Sequence, residues 1–273
     1  MAQYRGFLNI HNIDKYLQLG NENSIVLSLN VPKDPFFICA VIAHDPSITS
    51  CTTDYINILQ CTPKHFNPIK RREKTHSQSG LMYPYGYRGI RKASGFESYT
   101  RLPQSISNPK EWNIFSNGMD RIGSHYSEIL KTYFSTLEKQ FKVIQQQNYS
   151  PHIGTSYAGN FMTAFNFASA AHFDKLDSTY AFGVWYDVGH GRKANSAFVF
   201  PEFRIAIQLH NGLCALWNSE KALHCTTQSS PHEIVRIGTV VQLNKTLLTK
   251  ANKAWINNML QSSQSMQQSE KCK

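Results

Sequence analysis

One pattern of residues in the sequence could hold a metal ion. His172 and Asp174 are separated by a single residue, and neighbours i and i+2 of an extended segment point to the same side. His224 lies further along the chain, after a predicted strand. Two histidines and one carboxylate make up the facial triad that binds non-heme Fe(II) and leaves three coordination positions open. Because the chain contains 11 histidines, this spacing alone is a weak signal and needs support from its context.

The residues around this triad are predicted to form short strands. Residues 161–167 alternate apolar and polar side chains with the period of two that a half-buried strand shows. Further strands are predicted at 180–186, 197–200, 204–209, 213–217 and 234–243, with Asn211-Gly212 as a hairpin turn. Short strands at such regular intervals indicate a β-sandwich or a jelly roll.

The first half of the chain mixes strands with one long helix. Strands are predicted at 24–29 and 36–42, and apolar side chains recur at helical spacing over 119–144, with Ser116 or Asn117 as the cap. A closing helix is predicted at 245–261. We therefore expect an α+β protein with three parts: residues 1–150, which pack strands, a basic loop and the long helix on the core; the β-rich core and closing helix, 151–262; and a disordered tail, 263–273.

The positive charge of the chain is concentrated in one segment. The formal net charge is +10, and residues 64–101 hold nine basic residues against only Glu73 and Glu97. The same segment is rich in Gly, Pro, Ser and Tyr, which predicts a long irregular loop. Cations interleaved with aromatic rings suit a nucleic-acid strand, because cations contact phosphates and rings stack on bases. The alternative is a solvated loop without a partner.

Composition excludes several classes of protein. Hydrophobic residues make up 41% of the 273 residues, which excludes wholesale disorder. No apolar run reaches the ~18–20 residues of a membrane span, and no signal-like stretch follows Met1. Six cysteines without a C-x-x-C pair do not suggest a disulfide scaffold or a zinc site. We expect an intracellular protein, and the basic run 70–74 is compatible with a nuclear location.

Residues 198–224 resemble the second half of the double-stranded β-helix of 2-oxoglutarate oxygenases. In that family a strand with a Pro-containing edge, here Pro201, leads to a Gly-centred turn, here Gly212. A strand that ends near an aromatic residue, here Trp217, then precedes the distal histidine, here His224. Asn166 and the His172–Asp174 segment match the family's first half. The sequence is most similar to the TET/JBP branch, especially its short transposon-associated members, over roughly residues 150–250.

This resemblance implies a set of site residues. His172, Asp174 and His224 correspond to the Fe(II) ligands, and Arg236 corresponds to the arginine that holds the far carboxylate of 2-oxoglutarate, with O2 as the second cosubstrate. A guanidinium fork suits a carboxylate, and an arginine in an apolar strand needs such a partner. Family members often carry a hydroxyl residue two places after this arginine, where this chain has Gly238. Other candidates for the second contact are Thr226 and Thr239. Asn166 either contacts the near carboxylate, lines the substrate pocket or has a structural role.

The resemblance also implies a substrate. TET/JBP relatives hydroxylate the methyl group of 5-methylcytosine or thymine in DNA, and an enzyme of this kind must flip the base out of the duplex. DNA is therefore expected over RNA, with no membrane and no obligate protein partner. Phosphate contacts are expected from Arg71, Arg72, Lys74, Arg88, Arg91 and Lys92, and stacking from Tyr83, Tyr85, Tyr87 and Phe96. Two alternatives remain: an oxygenase of the same fold that acts on a protein side chain or a small molecule, and a metal-free jelly roll that binds nucleic acid.

Overall fold

Short segments rich in β-branched and aromatic residues pair into two sheets, in which the described strands pair antiparallel except for β1 with β9. The computed structural model of the protein describes residues 16–19, 25–29, 36–43, 45–68, 78–89, 96–98, 108–135, 160–175, 177–188, 196–227 and 236–245. The strands are β1 (Leu17–Leu19), β2 (Ile25–Leu29), β3 (Phe36–Ile42), β4 (Gln78–Gly89), β5 (Phe96–Ser98), β6 (Asn160–Ser169), β7 (Asp177–Asp187), β8 (Ala197–Phe200), β9 (Ile205–Gln208), β10 (Leu213–Asn218), β11 (Cys225–Thr226) and β12 (Arg236–Asn244). The helices are α1 (Pro46–Gln60), α2 (Thr62–His65) and α3 (Pro109–Tyr133).

The two sheets have the strand order of a double-stranded β-helix. The large sheet has the order β2-β3-β10-β7-β12-β6-β4-β5, and the small sheet has the order β1-β9-β8-β11. The chain crosses between the sheets at four of the six connections from β6 to β12, as is typical of a jelly roll. The predicted α+β fold with a jelly-roll core and flanking helices is therefore confirmed.

Strands β7 and β10 of the large sheet send alternate side chains into two different cores. On β7, Phe182, Val184 and Tyr186 pack toward α1 and α3, whereas Ala181 and Trp185 pack toward the small sheet. The same alternation on β12 turns Ile237 and Val241 toward the helices. Arg236, Gly238, Val240 and Gln242 therefore share the face between the two sheets.

The long helix begins earlier than its apolar stripe predicts. Asn108 caps α3, and its Oδ1 accepts hydrogen bonds from the backbone N–H groups of Lys110 and Glu111 at 3.2 and 3.3 Å. The proposed caps Ser116 and Asn117 lie inside the helix, so that prediction is wrong. Pro109 at the first helical position marks the true start. Residues 136–144 of the predicted helix, the closing helix beyond Lys245 and the tail lie outside the described residues.

Helix α1 was not predicted from the sequence, although a capping residue marks its first turn. Asp45 Oδ1 accepts hydrogen bonds from the backbone N–H groups of Ser47 and Ile48 at 2.9 and 3.2 Å, and Pro46 follows the cap. Ile48, Tyr55 and Leu59 are buried against the large sheet. None of the described helices is both long and apolar enough to cross a membrane.

Two further expectations are corrected. Residues 78–89 were predicted to belong to a loop, but they form β4, which pairs with β6. Pro84 is tolerated there because the opposite side of β4 is paired with β5 only from Tyr87 onward.

The turn at Asn211-Gly212 does not close a hairpin, because β9 lies in the small sheet and β10 in the large one. Gly212 has a φ of +75°, which lets the chain turn between the sheets.

Candidate active site

The two candidate histidines face each other across a backbone bridge. His172 N donates to the His224 carbonyl oxygen at 2.9 Å, and His224 N donates to the His172 carbonyl oxygen at 3.1 Å. Directly opposed residues of an antiparallel pair place their side chains on one face. The centroids of the two imidazole rings are accordingly 4.7 Å apart. This bridge adds the 172–174 segment to the small sheet beside β11.

Asp174 completes the cluster from the same segment. Its backbone N–H donates to the Ser219 carbonyl oxygen at 2.9 Å. Asp174 Oδ1 lies 3.5 Å from His172 Nε2, and Asp174 Oδ2 lies 3.2 Å from His224 Nε2. One ligand atom from each of the three residues lies within 4.8 Å of the others. The structure therefore brings together the three residues that the sequence pattern selects.

The donor set fits a divalent metal ion. Adjacent ligands of an octahedral ion with bond lengths of about 2.1 Å are about 3 Å apart, close to the separations between Asp174 and each histidine. Nδ1 of His172 lies 2.9 Å from the Ala170 carbonyl oxygen, and Nδ1 of His224 lies 2.9 Å from the Ala222 carbonyl oxygen. A carbonyl only accepts, so each Nδ1 carries the proton and donates it, which leaves Nε2 as the basic atom.

The cluster is closed on one side and open on the other. The His224 side chain is 4% exposed, and the rings of Phe198 and Trp217 lie 5.5 and 5.9 Å from its centroid. The side chains of His172 and Asp174 are 16% and 21% exposed. As far as the described residues show, a ligand can therefore reach Nε2 of both histidines and the Asp174 carboxylate from the side of His172 and Asp174.

The end of β12 holds the carboxylate in place. Gln242 Nε2 donates to Asp174 Oδ2 at 3.1 Å. Lys245 pairs with Glu220 and donates to the Lys175 carbonyl oxygen at 3.4 Å. These contacts connect β12 to both segments that carry the cluster. Sequence reasoning missed Gln242, whose only signal is its place on the same face of β12 as Arg236.

Arg236 is buried on this same face, at the beginning of β12. It is 4% exposed, its Nη2 donates to the Phe167 carbonyl oxygen, and its Nη1 is buried with no hydrogen-bond partner among the described residues. Burial lowers the pKa of Arg236 to about 10 although Asp187 opposes this shift, so the guanidinium remains charged at neutral pH. A buried cation with an unsatisfied N–H fits an anionic ligand such as a carboxylate.

Asn166 has a structural role next to this arginine. Its backbone φ is +48°, in the left-handed region that asparagine tolerates better than most residues. Its Oδ1 accepts a hydrogen bond from Arg236 N at 2.8 Å. Among the roles considered above, this contact supports the structural one, because Asn166 fixes the point at which β12 begins.

Thr239 does not belong to this site. It lies on the opposite face of β12, where its Oγ1 donates to the Val184 carbonyl oxygen at 3.0 Å and lies 2.7 Å from the Tyr126 hydroxyl. The prediction that Thr239 contacts 2-oxoglutarate is therefore wrong. The reason is the period of two along a strand, which turns residues 236 and 239 to opposite faces. Thr226, by contrast, follows His224 by two positions and shares its face.

The predicted nucleic-acid contacts can be placed only in part. Arg71, Arg72, Lys74, Arg91 and Lys92 lie outside the described residues, and only the backbone of Arg88 is described, in β4. Tyr83 and Tyr85 are 4% and 0% exposed and pack in the core beside α3, so the prediction that they stack on bases is wrong. The side chains of Tyr87 and Phe96 also lie outside the described part of the chain.

Comparison with known proteins agrees with this site. The sequence model of the Tet-like 2OG-Fe(II) oxygenase superfamily matches residues 53–229, more than half of the chain. No curated protein matches the chain by sequence. The structure of NgTET1 in complex with 5mC DNA is similar with a TM-score of 0.51 and 11% identity, over 82% of this chain and 81% of that chain.

Two further solved structures are more distantly similar. OsALKBH1 has a TM-score of 0.41 and 10% identity over 81% of this chain and 100% of that chain. A prolyl hydroxylase from Trichoplax adhaerens, in complex with a hypoxia inducible factor peptide fragment, has a TM-score of 0.37 and 9% identity over 77% and 86%. Of these three likenesses, only that to NgTET1 exceeds 0.5, and at 11% identity it supports the fold alone.

Three observations point to the same family. They are the double-stranded β-helix, the His-Asp-His cluster with metal-ligand geometry and the family match over most of the chain. The chain belongs to the Tet-like 2OG-Fe(II) oxygenase superfamily and is a dioxygenase that uses Fe(II), 2-oxoglutarate and O2.

Proposed function

We propose that this dioxygenase hydroxylates a methyl group of a nucleic-acid base, of the 5-methylcytosine or thymine type, in DNA. His172, Asp174 and His224 bind Fe(II), and Arg236 binds the far carboxylate of 2-oxoglutarate. The observation that carries the proposal is the cluster of these three side chains, whose ligand atoms lie within 4.8 Å of one another. Residues 151–262 form the catalytic core, to which residues 1–150 add strands and helices.

The protein's own contribution to the reaction is positioning and exclusion of water. Bound Fe(II), 2-oxoglutarate and O2 supply an oxidative decarboxylation that yields succinate and CO2 and hydroxylates a C–H bond. The carbonyl oxygens of Ala170 and Ala222 hold both imidazoles with Nε2 toward the metal position. Phe198 and Trp217 keep water from the side of His224, so that the substrate approaches past His172 and Asp174.

A nucleic-acid substrate is supported by charge and by the structural likeness. The chain carries a net charge of +10, with nine basic residues within 64–101, and such a cluster suits a phosphate backbone. NgTET1, which shares the fold, is described in complex with 5mC DNA. A base inside a duplex is out of reach of a buried metal, so the enzyme must turn it outward. A DNA substrate also makes the nucleus the proposed location of the enzyme.

Succinate release tests the proposal. The purified protein is given Fe(II), 2-oxoglutarate and O2 with matched duplex oligonucleotides that differ only in a methylated or unmethylated cytosine, or in thymine against uracil. We expect succinate and a hydroxymethylated base with the methylated duplexes, and neither product with His172→Ala or Asp174→Ala. Succinate without any oligonucleotide dependence would favour the oxygenase that acts on another substrate. Equal activity of the two variants and the parent would contradict the site.

A further inference from the structure

The interior face of β12 carries an arginine and, two positions on, a glycine. Arg236 and Gly238 share this face, and two residues along a strand are about 6.6 Å apart. The guanidinium of Arg236 has a buried Nη1 that finds no hydrogen-bond partner in the described part of the chain. Gly238 offers no side chain that could assist it.

The space above Gly238 is filled by the indole ring of Trp185. The two residues are directly opposed in the pairing of β7 with β12. A Cβ atom at position 238 would lie 3.1 Å from Trp185 Nε1 and 3.2 Å from Trp185 Cδ1. The edge of the ring that bears the N–H therefore lies over the glycine, and Trp185 is only 4% exposed.

We propose that the indole N–H of Trp185 is the second donor to the far carboxylate of 2-oxoglutarate, beside the guanidinium of Arg236. This inference rests on the proposed function, which assigns that carboxylate to Arg236. A carboxylate accepts about four hydrogen bonds, and Arg236 also binds the Phe167 carbonyl oxygen, so one guanidinium leaves part of this capacity unused. Indole Nε1 is only a donor and is uncharged, so it adds a hydrogen bond next to a buried cation without charge repulsion.

A second tryptophan in the same interior is the competing candidate for this contact. Within the residues that the structure describes, Trp217 Nε1 is buried without a hydrogen-bond partner, and the Trp217 ring lies 6.2 Å from that of Trp185. Its ring packs on Phe198 at 4.7 Å and near His224 at 5.9 Å, whereas Gly238 lies against the Trp185 indole. We therefore assign the carboxylate contact to Trp185 and not to Trp217.

Calorimetric titration of the Mn(II)-loaded protein, which measures ligand binding without turnover, tests this assignment. The ligands are 2-oxoglutarate and 2-oxopentanoate, which has a methyl group in place of the far carboxylate. For Trp185→Phe we expect about 10- to 100-fold weaker binding of 2-oxoglutarate and unchanged binding of 2-oxopentanoate. The control is Trp112→Phe, a change of the same kind in α3 on the helix side of the large sheet, which should leave both affinities near those of the parent. Trp217→Phe is measured beside it as the competing assignment. Gly238→Ala, whose Cβ displaces the indole edge, should repeat the selective loss and provides a second test if Trp185→Phe does not fold.

The outcomes separate this inference from the function on which it rests. Unchanged affinity in Trp185→Phe and Gly238→Ala, an equal loss for both ligands, or a selective loss in Trp217→Phe instead would overturn the role of Trp185 alone. A parent protein that binds Mn(II) but not 2-oxoglutarate would overturn the proposed function as well.

Discussion

Gln242 reaches Asp174 from the far end of the strand that begins with Arg236. Its Nε2 donates to Asp174 Oδ2 at 3.1 Å, the same oxygen that lies 3.2 Å from His224 Nε2. A single strand, β12, thus holds the carboxylate of the metal cluster at one end and the buried guanidinium at the other. If Arg236 binds the cosubstrate carboxylate as proposed, this strand sets the spacing between that carboxylate and the metal.

Replacing Gln242 with leucine should weaken metal binding. Leucine has a similar volume but cannot donate to Asp174, and loss of such an orienting hydrogen bond typically costs 10- to 100-fold in metal affinity. The affinity is measured by titration with Mn(II) under argon. Gln208→Leu is the control, because Gln208 lies in the small sheet and bonds to Gln18. Equal Mn(II) affinity of Gln242→Leu and the control would contradict a positioning role for Gln242.

A buried chain of hydroxyl groups connects α3 to the large sheet. Tyr126 OH lies 2.7 Å from both Tyr186 OH and Thr239 Oγ1, and Thr239 Oγ1 donates to the Val184 carbonyl oxygen at 3.0 Å. Because that carbonyl can only accept, the donation runs from Tyr186 through Tyr126 to Thr239. Removing the central hydroxyl, that of Tyr126, would therefore take a hydrogen-bond partner from each of the other two.

Tyr126→Phe should therefore destabilise the fold by about 1–3 kcal/mol, because it leaves two buried hydroxyls with incomplete hydrogen bonding. The free energy of unfolding is measured by urea denaturation. Tyr126→Phe combined with Thr239→Val should cost less than the sum of the two single changes, since both remove the same chain of bonds. Strict additivity would show that the hydroxyls act independently, contrary to this prediction.

His125 should make stability depend on pH. Its Nδ1 lies 2.7 Å from Tyr55 OH and its Nε2 lies 2.7 Å from Ser47 Oγ, which in turn bonds to Asp45. Burial lowers the pKa of His125 below its ordinary value of 6.5, although Asp45 opposes the shift. The unfolded chain therefore binds a proton at a higher pH than the folded one does. The stabilisation is complete above pH 6.5 and is lost as the pH falls from 6.5 toward the folded pKa.

The measurement is the free energy of unfolding of the parent and of His125→Gln between pH 8 and pH 5. We expect a smaller decrease at low pH in the variant, with a difference in slope of at most ~1.4 kcal/mol per pH unit, the value for one proton. Burial also lowers the pKa of His65, so part of the dependence should remain in the variant. Identical pH profiles would exclude His125 as a contributor.

The basic segment should control affinity for DNA. Two triple variants, Arg71/Arg72/Lys74→Gln and Arg88/Arg91/Lys92→Gln, each remove three charges. If all three contact phosphates, each variant reduces the slope of log K against log salt by up to about 2.7. The control removes three exposed charges of α3, in Lys110/Arg121/Lys131→Gln. Unchanged affinity and salt slope in both segment variants would count against contact between this segment and DNA.

Period-two patterns allowed much of the core to be predicted from the sequence. The strand at 36–42 matches β3, and those near 161, 180, 197 and 213 overlap β6, β7, β8 and β10. The sequence was sufficient to select His172, Asp174 and His224. The first two are spaced i, i+2 in an extended segment and the third follows a predicted strand, and both features can be recognised locally. Pairing the two histidines across the small sheet, however, depends on tertiary structure.

The errors have physical causes that local patterns do not contain. The stretch around Tyr83 and Tyr85 has the glycine and proline content of a loop, but burial of both rings against α3 stabilises a strand. Asn211-Gly212 has the composition of a hairpin turn, but sheet membership of the flanking strands is set by long-range pairing. Trp185 could not be linked to Gly238, because their contact follows from the register of β7 against β12.

Iron stoichiometry tests the central claim most directly. The parent and the variants His172→Ala, Asp174→Ala and His224→Ala are dialysed under argon against Fe(II), and bound iron per chain is measured. The three side chains are predicted to share one ion, so the parent should bind one Fe(II) per chain and each variant should bind it at least tenfold more weakly. Iron binding that is unaffected by all three substitutions would show that these residues do not form the metal centre.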